Sequence, residues 1–248
     1  MENQAKYDAE KFLEGLARRA KELGVKIFEN TEVTEISEGS PLLVKTKNGH
    51  IVTATDIIVA TYNPFNHPRS TRLKKGFYTS YVETIEISNN SLVEAIYWDM
   101  SNPYFYFRVD KKEGKTILTL GGADHRKAIP MPKEKNFQAL QDHFKKVLPN
   151  VDYKIKDKWT GPILEPSDGL ALIGQYLPHQ YLASAFSGNG MTYSAISGIL
   201  LSDLILEEEN EWASIYDPKR PYNIKRYAKK GKDYVEEFLG GALKNYFK

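Results

Sequence analysis

The chain has 248 residues, of which 41% are hydrophobic and 27% charged, so it can bury a substantial core in one large domain or two small ones. Its net charge of +2 argues against a global field suited to nucleic acid. The absence of cysteine excludes disulfides, thiol catalysis, cysteine-linked cofactors and iron–sulfur ligation within these residues. The charged N-terminus lacks an apolar signal segment, and the longest apolar run contains Asp203, so the sequence predicts a cytoplasmic protein without a membrane span.

The first region, residues 1–74, is predicted to be a helix followed by short strands. Apolar residues recur with helical spacing from Tyr7 to Leu23, and Gly24 is a favourable stop signal. The apolar run within residues 56–60 is typical of a strand buried on both faces. Alternation and turn signals predict further strands, the last three forming a β-meander: 25–28, 33–36, 42–46 and 50–53. This order of elements is typical of half of a dinucleotide-binding domain.

The second region, residues 75–161, has a different character. Tyr, Phe, Ile and Thr are enriched in segments predicted as antiparallel strands: 77–87, 95–100, 104–109 and 115–121. An amphipathic helix is predicted over 132–148, with Phe137, Leu140 and Phe144 on one stripe, and a further strand over 151–160. A sheet backed by one or two helices is therefore expected here.

The third region, residues 162–216, returns to buried strands, predicted at 171–174 and 181–185. The second strand leads through a glycine-bounded turn into a long apolar helix that ends near Leu206. The N–H groups at such a helix start gather about half an elementary positive charge, which suits phosphate or an electron-rich ring that becomes anionic. Gly188 and Gly190 leave room for a flat ligand against the main chain. An ordinary strand-to-helix turn has the same pattern, so both interpretations stay open.

The fourth region, residues 217–248, is predicted to be a helical tail. Apolar residues from Ile224 to Ala242 trace one helical face. Basic residues cluster around it: Lys219, Arg220, Lys225, Arg226, Lys229, Lys230 and Lys232. A membrane or nucleic-acid patch would use such a cluster, but we favour a helix that packs on the body with a solvated basic side.

Four segments together resemble a known family. Ser-Gly-Asn-Gly-Met-Thr at 187–192, followed by the apolar helix, resembles the C-terminal flavin motif of the FAD-dependent D-amino-acid oxidase superfamily. Segments 29–36, 54–61 and 159–174 resemble, in the same order, the parts that meet the adenine, return to the cofactor and re-enter the cofactor domain. The resemblance covers nearly the whole chain. It is closest to the amine and amino-acid oxidoreductase branch, some of whose members carry a C-terminal Rieske domain.

The resemblance implies an α/β and α+β fold: an incomplete FAD/NAD(P)-binding Rossmann-like domain with an inserted antiparallel-sheet substrate domain and a C-terminal helix. It implies FAD as the cofactor and oxidation of a C–N bond of an amine or amino acid by hydride transfer to the flavin. The helix that begins near Asn189 would point at the pyrimidine side of the ring. The implied cofactor-binding residues are Val33, Ala60, Thr61, Gly174, Ser187, Gly188, Asn189, Gly190, Met191 and Thr192.

The pyrophosphate cradle of the family is missing from the sequence. No Gly-x-Gly-x-x-Gly follows a predicted strand, whereas the family carries that fingerprint in its first third. The chain is therefore expected to be the C-terminal portion of a flavoenzyme, and a truncated gene, a split gene or a shortened expression product would each produce it. If it is active, it needs the missing N-terminal segment, which a separate FAD-binding polypeptide could supply. Alone, it should be inactive and bind FAD weakly or not at all, because charge-assisted hydrogen bonds to the pyrophosphate are lacking. An uncovered sheet edge and apolar patch should favour homo-oligomers or poor solubility.

Candidate substrate-binding residues lie in the aromatic string of the second region. Tyr104 and Tyr106 could line a substrate pocket, although sheet aromatics are more often core residues. Arg108 could grip a substrate carboxylate or form a surface pair at a strand end, and we favour the surface pair. Asp124-His125 alone is weak evidence for a general base, so catalytic residues stay unassigned. The histidines lack metal-ligand spacing, and no metal site is expected.

Three departures from the family pattern weigh against an intact site. Phe105 stands where a His is expected, Ala123 replaces the acid of Gly-Gly-Glu-Asp-His, and Pro162 stands where Gln is common.

Three hypotheses therefore stay open. The chain is part of an FAD-dependent oxidoreductase that acts on small amines or amino acids, or a non-catalytic remnant or interaction module that does not bind FAD. The third is a different flavoprotein class, such as a dehydrogenase or demethylase subunit.

Overall fold

The computed structural model describes residues 5–64, 75–88, 92–101, 103–127, 131–166 and 168–221. The chain forms two compact units. The first unit comprises Met1–Glu32, Ser80–Asp124 and Met131–Gly161, and the second comprises Val33–Thr79, His125–Pro130 and Pro162–Lys248. In chain order the elements are α1 (Ala9–Glu22), β1 (Val33–Ile36), β2 (Leu42–Thr46), β3 (Ile51–Ala54), β4 (Ile57–Val59), β5 (Lys75–Ile87), β6 (Ile96–Trp98), β7 (Phe105–Lys112), β8 (Lys115–Arg126), α2 (Lys133–Val147), β9 (Tyr153–Pro166), β10 (Leu172–Leu177), β11 (Gln180–Ser184), α3 (Gly190–Ile205) and α4 (Ala213–Tyr216).

The predicted first helix is confirmed as α1. The Asp8 side chain accepts a hydrogen bond from the Lys11 N–H at the N-terminus, and Gly24 follows the helix with φ +90°, as a helix stop requires. No residue of α1 is buried, so its apolar stripe is exposed. The strand predicted at 25–28 is wrong, because these residues are exposed and have no regular structure. A strand forms only with a partner strand, and the alternating sequence finds none among the described residues.

The sheet of the first unit confirms the predicted strands, and its pairs β6–β7 and β7–β8 are antiparallel. Its order is β6-β7-β8-β5-β9, and several strands are longer than the sequence predicted. Residues on one face of the sheet pack with Phe144 of α2, as the amphipathic stripe predicted. The buried cluster comprises Ile85, Ile87, Phe107, Val109, Leu118, Leu120 and Phe144. The alternate residues of β7, including Tyr106 and Arg108, therefore project from the opposite face, which we call the open face.

The second unit contains two further sheets among its described residues. Strands β1, β2 and β3 pair in that order as antiparallel neighbours, which confirms the β-meander. The other sheet has the order β10-β11-β4, with β11 parallel to β4. Strand β11 is buried throughout, and residues Leu200 and Leu201 of α3 pack on it and on β10. The fold thus places the start of α3 directly after a buried strand.

Strand β4 is less covered than predicted, and helix α3 has an exposed side. The sequence predicts a strand at 56–60 buried on both faces, but only Val59 of β4 is buried and Ile58 is 49% exposed. Within the described sheet, β4 is an edge strand. Helix α3 is mostly apolar, yet its outer side is exposed and carries Ile199, which is 54% exposed, together with Ser194 and Ser202. No helix in the described ranges is long and apolar enough to cross a membrane.

The described end of the second unit is fastened by Arg220. Its Nε and Nη2 atoms donate to both carboxylate oxygens of Asp168, at 2.8 and 2.9 Å, and further bonds reach main-chain carbonyls on both sides. Burial would raise the pKa of Asp168, but the bonds from Arg220 lower it overall. The prediction that Arg220 belongs to a solvated basic cluster is therefore wrong, because its side chain is only 11% exposed. The remaining helical tail, 222–248, lies outside the described residues.

Candidate functional site

The candidate cofactor site lies at the ends of two parallel strands of the second unit. Because β4 and β11 are parallel neighbours, the segments that follow them leave the sheet at the same edge. The Ser184 hydroxyl donates to the Tyr62 carbonyl at 2.6 Å and holds the two segments together. The structure thereby brings the predicted residues Ala60 and Thr61 to the edge from which the segment 187–192 leaves. Open α/β sheets bind ligands at such carboxyl-terminal edges.

The loop between β11 and α3 has an unusual backbone. Ala185 and Ser187 have φ of +60° and +53°, in the left-handed region that non-glycine residues avoid at about 1–2 kcal/mol each. The Ser187 N–H donates to the Leu164 carbonyl at 3.1 Å, which fixes the loop on the neighbouring strand β9. Strained backbone of this kind concentrates at ligand sites. Here the strained residues lie in the loop that sets the direction of the amides at the start of α3.

Helix α3 begins without a side-chain cap. Asn189 occupies the N-cap with φ −105° and ψ 38°, and its side chain makes no capping hydrogen bond. Within the described chain, the N–H groups of Gly190, Met191 and Thr192 have no hydrogen-bond acceptor. These residues are exposed or half-buried, and the first turn contains no acidic side chain. Three amides and the helix dipole are thus available for an electron-rich group.

The other predicted cofactor residues have different surroundings. Gly188 is exposed in the loop. Gly174 lies within β10 with φ +146°, and a Cβ there would come within 3.0 Å of Cδ of Pro218, so packing requires a glycine. Val33 begins β1, where it pairs with Thr46 in the meander sheet. The structure therefore gathers residues 60–61 and 187–192 at one edge, and it gives Gly174 a packing role.

FAD can be tested against these residues. A Cβ at Gly190 would have no atom within 4 Å, so no described side chain crowds this position of the first turn. The three free amides fit the edge of a flavin ring that gains negative charge. The sequence offers no Gly-x-Gly-x-x-Gly turn for a pyrophosphate. The residues present thus fit the ring end of FAD, and the phosphate end would need residues from elsewhere.

The predicted substrate residues belong to the first unit and lie on or beside its open face. The rings of Tyr104 and Tyr106 stack with centroids 6.3 Å apart. Burial, and then the negative charge of Asp124, raise the pKa of Tyr106. Arg108 is engaged within the chain, since its Nε donates to both oxygens of Asp110 at 3.1 and 2.8 Å and its Nη1 donates to the Tyr7 carbonyl at 2.8 Å.

A backbone irregularity in β8 decides where Asp124 projects. Leu118 and Leu120 pack towards α2, but Gly122 and Ala123 have φ of +128° and +51° and break the alternation. Ala123 then packs against Phe137 of α2. Asp124 consequently follows on the open face, as expected after a bulge that inserts one residue. This explains why its charge acts on Tyr106.

Sequence reasoning missed two features of these sites. Trp98 pairs directly with Tyr106 across β6 and β7, on the open face, and is 62% exposed. Alternation in Ile96-Tyr97-Trp98 indicates which residues share a face, but the register between strands is not visible in the sequence. The bond between Ser184 and Tyr62 was also missed, because it joins residues 122 positions apart.

Comparison with known proteins identifies a family and several similar structures. The family model for FAD dependent oxidoreductases matches residues 1–204. A Bacillus subtilis (strain 168) protein named as a Rieske 2Fe-2S iron–sulfur protein, YhfW, is 25% identical over 224 residues, which are 89% of this chain and 43% of that protein. The solved structure of L-proline dehydrogenase from P. horikoshii has a TM-score of 0.70 at 20% identity, over 91% of this chain and 61% of that chain. Glycine oxidase from Geobacillus kaustophilus has a TM-score of 0.67 at 16% identity, over 85% and 57%.

The structural likenesses confirm the predicted fold class, a mixed α/β fold with antiparallel sheets. The chain spans about half the length of the curated relatives it matches. The family match covers the segments on which the resemblance to D-amino-acid oxidases was based, from 29–36 to 187–192, and confirms it. The chain belongs to the FAD-dependent oxidoreductase family.

Proposed function

We propose that the chain forms the C-terminal portion of an FAD-dependent oxidoreductase that oxidises a C–N bond of a small amine or amino acid. The observation that carries the proposal is the uncapped start of α3, where the amides of Gly190, Met191 and Thr192 have no acceptor among the described residues. The solved structures with a similar fold include a glycine oxidase and an L-proline dehydrogenase, whose names refer to amino acids. The proposed domains are 1–74 and 162–216 for the cofactor, 75–161 for the substrate and 217–248 for the tail.

FAD, when bound, supplies a two-electron acceptor for the oxidation. The role of this chain is to hold the electron-rich edge of the ring against the start of α3. A helix end stabilises such a charge by about 0.3–1 kcal/mol when exposed and up to about 2 kcal/mol when partly buried. The loop residues Ala185 and Ser187 fix the direction of the amides, and Ser184 ties the loop to Tyr62. These contacts tune the cofactor, and substrate is oriented by other residues.

The phosphate end of the cofactor requires a partner in this proposal. A Gly-x-Gly-x-x-Gly segment outside these 248 residues would supply it, either as a separate polypeptide or as an adjoining segment. The second unit offers an edge strand, β4, and an exposed apolar side of α3 where such a segment could pack. Without it, the chain should be inactive and bind FAD weakly.

A second candidate is an interaction module of the same fold that does not bind FAD. The observation that favours it is the amount of exposed apolar surface, including Phe12, Leu13 and Leu16 of α1 and Ile199 of α3. Such a surface would bind a protein partner whether or not flavin is present. The two candidates therefore differ in whether the start of α3 binds a flavin.

The test is a titration of the purified chain with FAD, alone and together with the family's N-terminal dinucleotide-binding segment as a second polypeptide. We expect a flavin absorption band near about 450 nm only with the second polypeptide. Sub-micromolar binding by the chain alone would refute the need for a partner. A colourless complex that stays colourless would favour the interaction module.

A variant at the helix start makes the test specific. Asn189→Asp places a carboxylate where it caps the amides of α3, so unfolding should require about 1 kcal/mol more while flavin binding weakens about tenfold. The matched control is Asp8→Asn, which exchanges the N-cap of α1 in the other direction and should leave flavin binding unchanged. Equal effects of both variants on flavin binding would contradict the role of α3.

A further inference from the structure

The open face of the first unit has a composition suited to one class of ligand. Register places Trp98 of β6 opposite Tyr106 of β7, and Tyr106 opposite Gly121 of β8. Directly opposite residues of antiparallel strands share a face, so the two rings and the glycine form a row across three strands. Tyr97 and Phe107 stack on the other face, towards α2, which confirms the assignment of sides.

The row is built around Tyr106. A Cβ at Gly121 would overlap the ring of Tyr106, so the glycine lets this ring lie flat on the strand. Tyr104 stacks beside it with ring planes 18° apart. Trp98 leaves most of its indole exposed on the same side. Aromatic faces attract cations, with Trp the strongest, and the row therefore presents three ring systems to a positively charged ligand.

An acidic group completes this surface. The bulge at Gly122 and Ala123 directs Asp124 to the open face, near enough for its charge to raise the pKa of Tyr106. A carboxylate beside stacked rings is complementary to an ammonium group. The same carboxylate repels a ligand that carries a negative charge of its own.

Two cations of the first unit near this face, Arg108 and Lys6, are engaged within the chain. Arg108 is held by Asp110 and by the Tyr7 carbonyl. Lys6 donates to the carboxylates of Asp110, at 2.7 Å, and Glu94, at 3.0 Å, and to a main-chain carbonyl. Two cations thus face two carboxylates, and a substrate carboxylate would have to displace Asp110 to reach Arg108.

We infer that the open face binds an amine cation that carries no carboxylate, in preference to a zwitterionic amino acid. The inference rests on the proposed function, since it selects the substrate class within amine and amino-acid oxidation. The ammonium group lies between the aromatic row and Asp124, and the remainder of the amine packs on Trp98 and Tyr104. The rings and Asp124 attract the ammonium group, and Asp124 repels the carboxylate of an amino acid.

The test compares two ligands that differ by one carboxylate. The purified chain, labelled at its tryptophan indoles, is titrated with 2-phenylethylamine and with L-phenylalanine and followed by NMR. Trp98→Phe identifies the indole signal that belongs to the open face among the three tryptophans of the chain. We expect 2-phenylethylamine to shift this signal with an affinity at least about tenfold higher than that of L-phenylalanine. Equal or tighter binding of L-phenylalanine, or no shift with the amine, overturns the inference.

Two substitutions separate the groups that decide the preference. Asp124→Asn should reduce 2-phenylethylamine affinity about threefold to tenfold and narrow the difference between the ligands. The matched control is Asp142→Asn on α2, which is exposed on the covered side of the sheet and should change neither ligand. Arg108→Gln should leave the ratio of the two affinities unchanged. An L-phenylalanine affinity that depends on Arg108 would overturn the inference.

The outcome is independent of flavin. Amine preference at the Trp98 signal without a flavin band in the titration described above would refute the proposed function and leave the binding preference intact. A flavin band without amine preference would refute only the inference about substrate class. The two measurements use different signals, so each failure is identified separately.

Discussion

The two compact units present their candidate functional groups in different ways. In the second unit the groups are main-chain amides at the start of α3, directed by a loop with left-handed Ala185 and Ser187. In the first unit they are the side chains of Trp98, Tyr106 and Asp124, which share a face because of strand register and a bulge. A site made of main-chain amides depends on the backbone conformation. A site made of side chains depends on the identity of each residue. Substitutions should therefore damage the two units by different routes.

The largest expected effect tests the backbone of the second unit. Arg220→Met removes the bidentate bonds to Asp168 and those to main-chain carbonyls, and leaves a partly buried carboxylate without its cation. We expect the free energy of unfolding to fall by about 2–4 kcal/mol in urea titrations. Arg19→Met, which breaks an exposed pair with Glu22, is the matched control and should cost less than about 0.5 kcal/mol. Similar losses for both variants would show that Arg220 is not a fastening residue.

A smaller effect is expected where a side chain forms the site. Gly121→Ala forces a methyl group into the ring of Tyr106 and should destabilise the chain by about 1–3 kcal/mol, because the ring must leave the row. Gly161→Ala is the control, since a Cβ there meets nothing within 4 Å. In a double-mutant cycle, Gly121→Ala should cost little when it is made in a Tyr106→Ala background, because the ring that the methyl group would meet is gone. Additive losses would mean that the ring does not lie on the glycine.

The pH dependence of stability distinguishes the units further. The pKa of Asp168 is lower in the folded state than in the unfolded state, so its stabilising contribution is present above the unfolded value of about 4 and is lost as pH falls through the folded value. The stability difference between the natural chain and Asp168→Asn should therefore be largest near neutral pH and shrink in acid. Urea titrations from pH 7 to about pH 3 measure it. A difference that grows in acid would contradict the lowered pKa.

The smallest effect on stability is expected at the exposed side of α3. Ile199→Lys replaces a half-exposed apolar residue, so the free energy of unfolding should change by less than about 0.5 kcal/mol. If the uncovered surface of the second unit drives association, sedimentation at high concentration should show less oligomer for this variant. Ser202→Lys, also exposed on α3, is the control for charge alone. A monomeric natural chain would contradict the expectation of association.

Local sequence signals predicted most elements. The spacing of Phe137, Leu140 and Phe144 predicted α2, and the turn signals around 38–41 and 47–49 predicted the meander of β1 to β3. The two wrong predictions concern segments that lack a neighbour among the described residues. Residues 25–28 form no strand, and β4 is covered on only one face, because alternation and apolar runs describe what a segment can pair with and do not supply the neighbour.

The candidate cofactor loop could be identified from sequence because glycines, a buried strand and an apolar helix follow one another within about twenty residues. The role of Arg108 could not be settled in the same way. Its partners, Asp110 and Tyr7, are respectively two and 101 positions away, and the second contact depends on how the N-terminal segment folds back. Whether the Arg108 guanidinium is engaged by such a distant residue is therefore decided only in the folded chain.

By itself, the sequence determined the family, the order of most elements and the place where a strand turns into an apolar helix, because each of these depends on neighbouring residues. Tertiary structure alone decided that Trp98, Tyr106 and Asp124 share one face and that Arg220 points inward to Asp168. Register, a bulge and a long-range ion pair depend on how distant segments meet. No local pattern encodes those meetings, and they determine which charges and rings a ligand encounters.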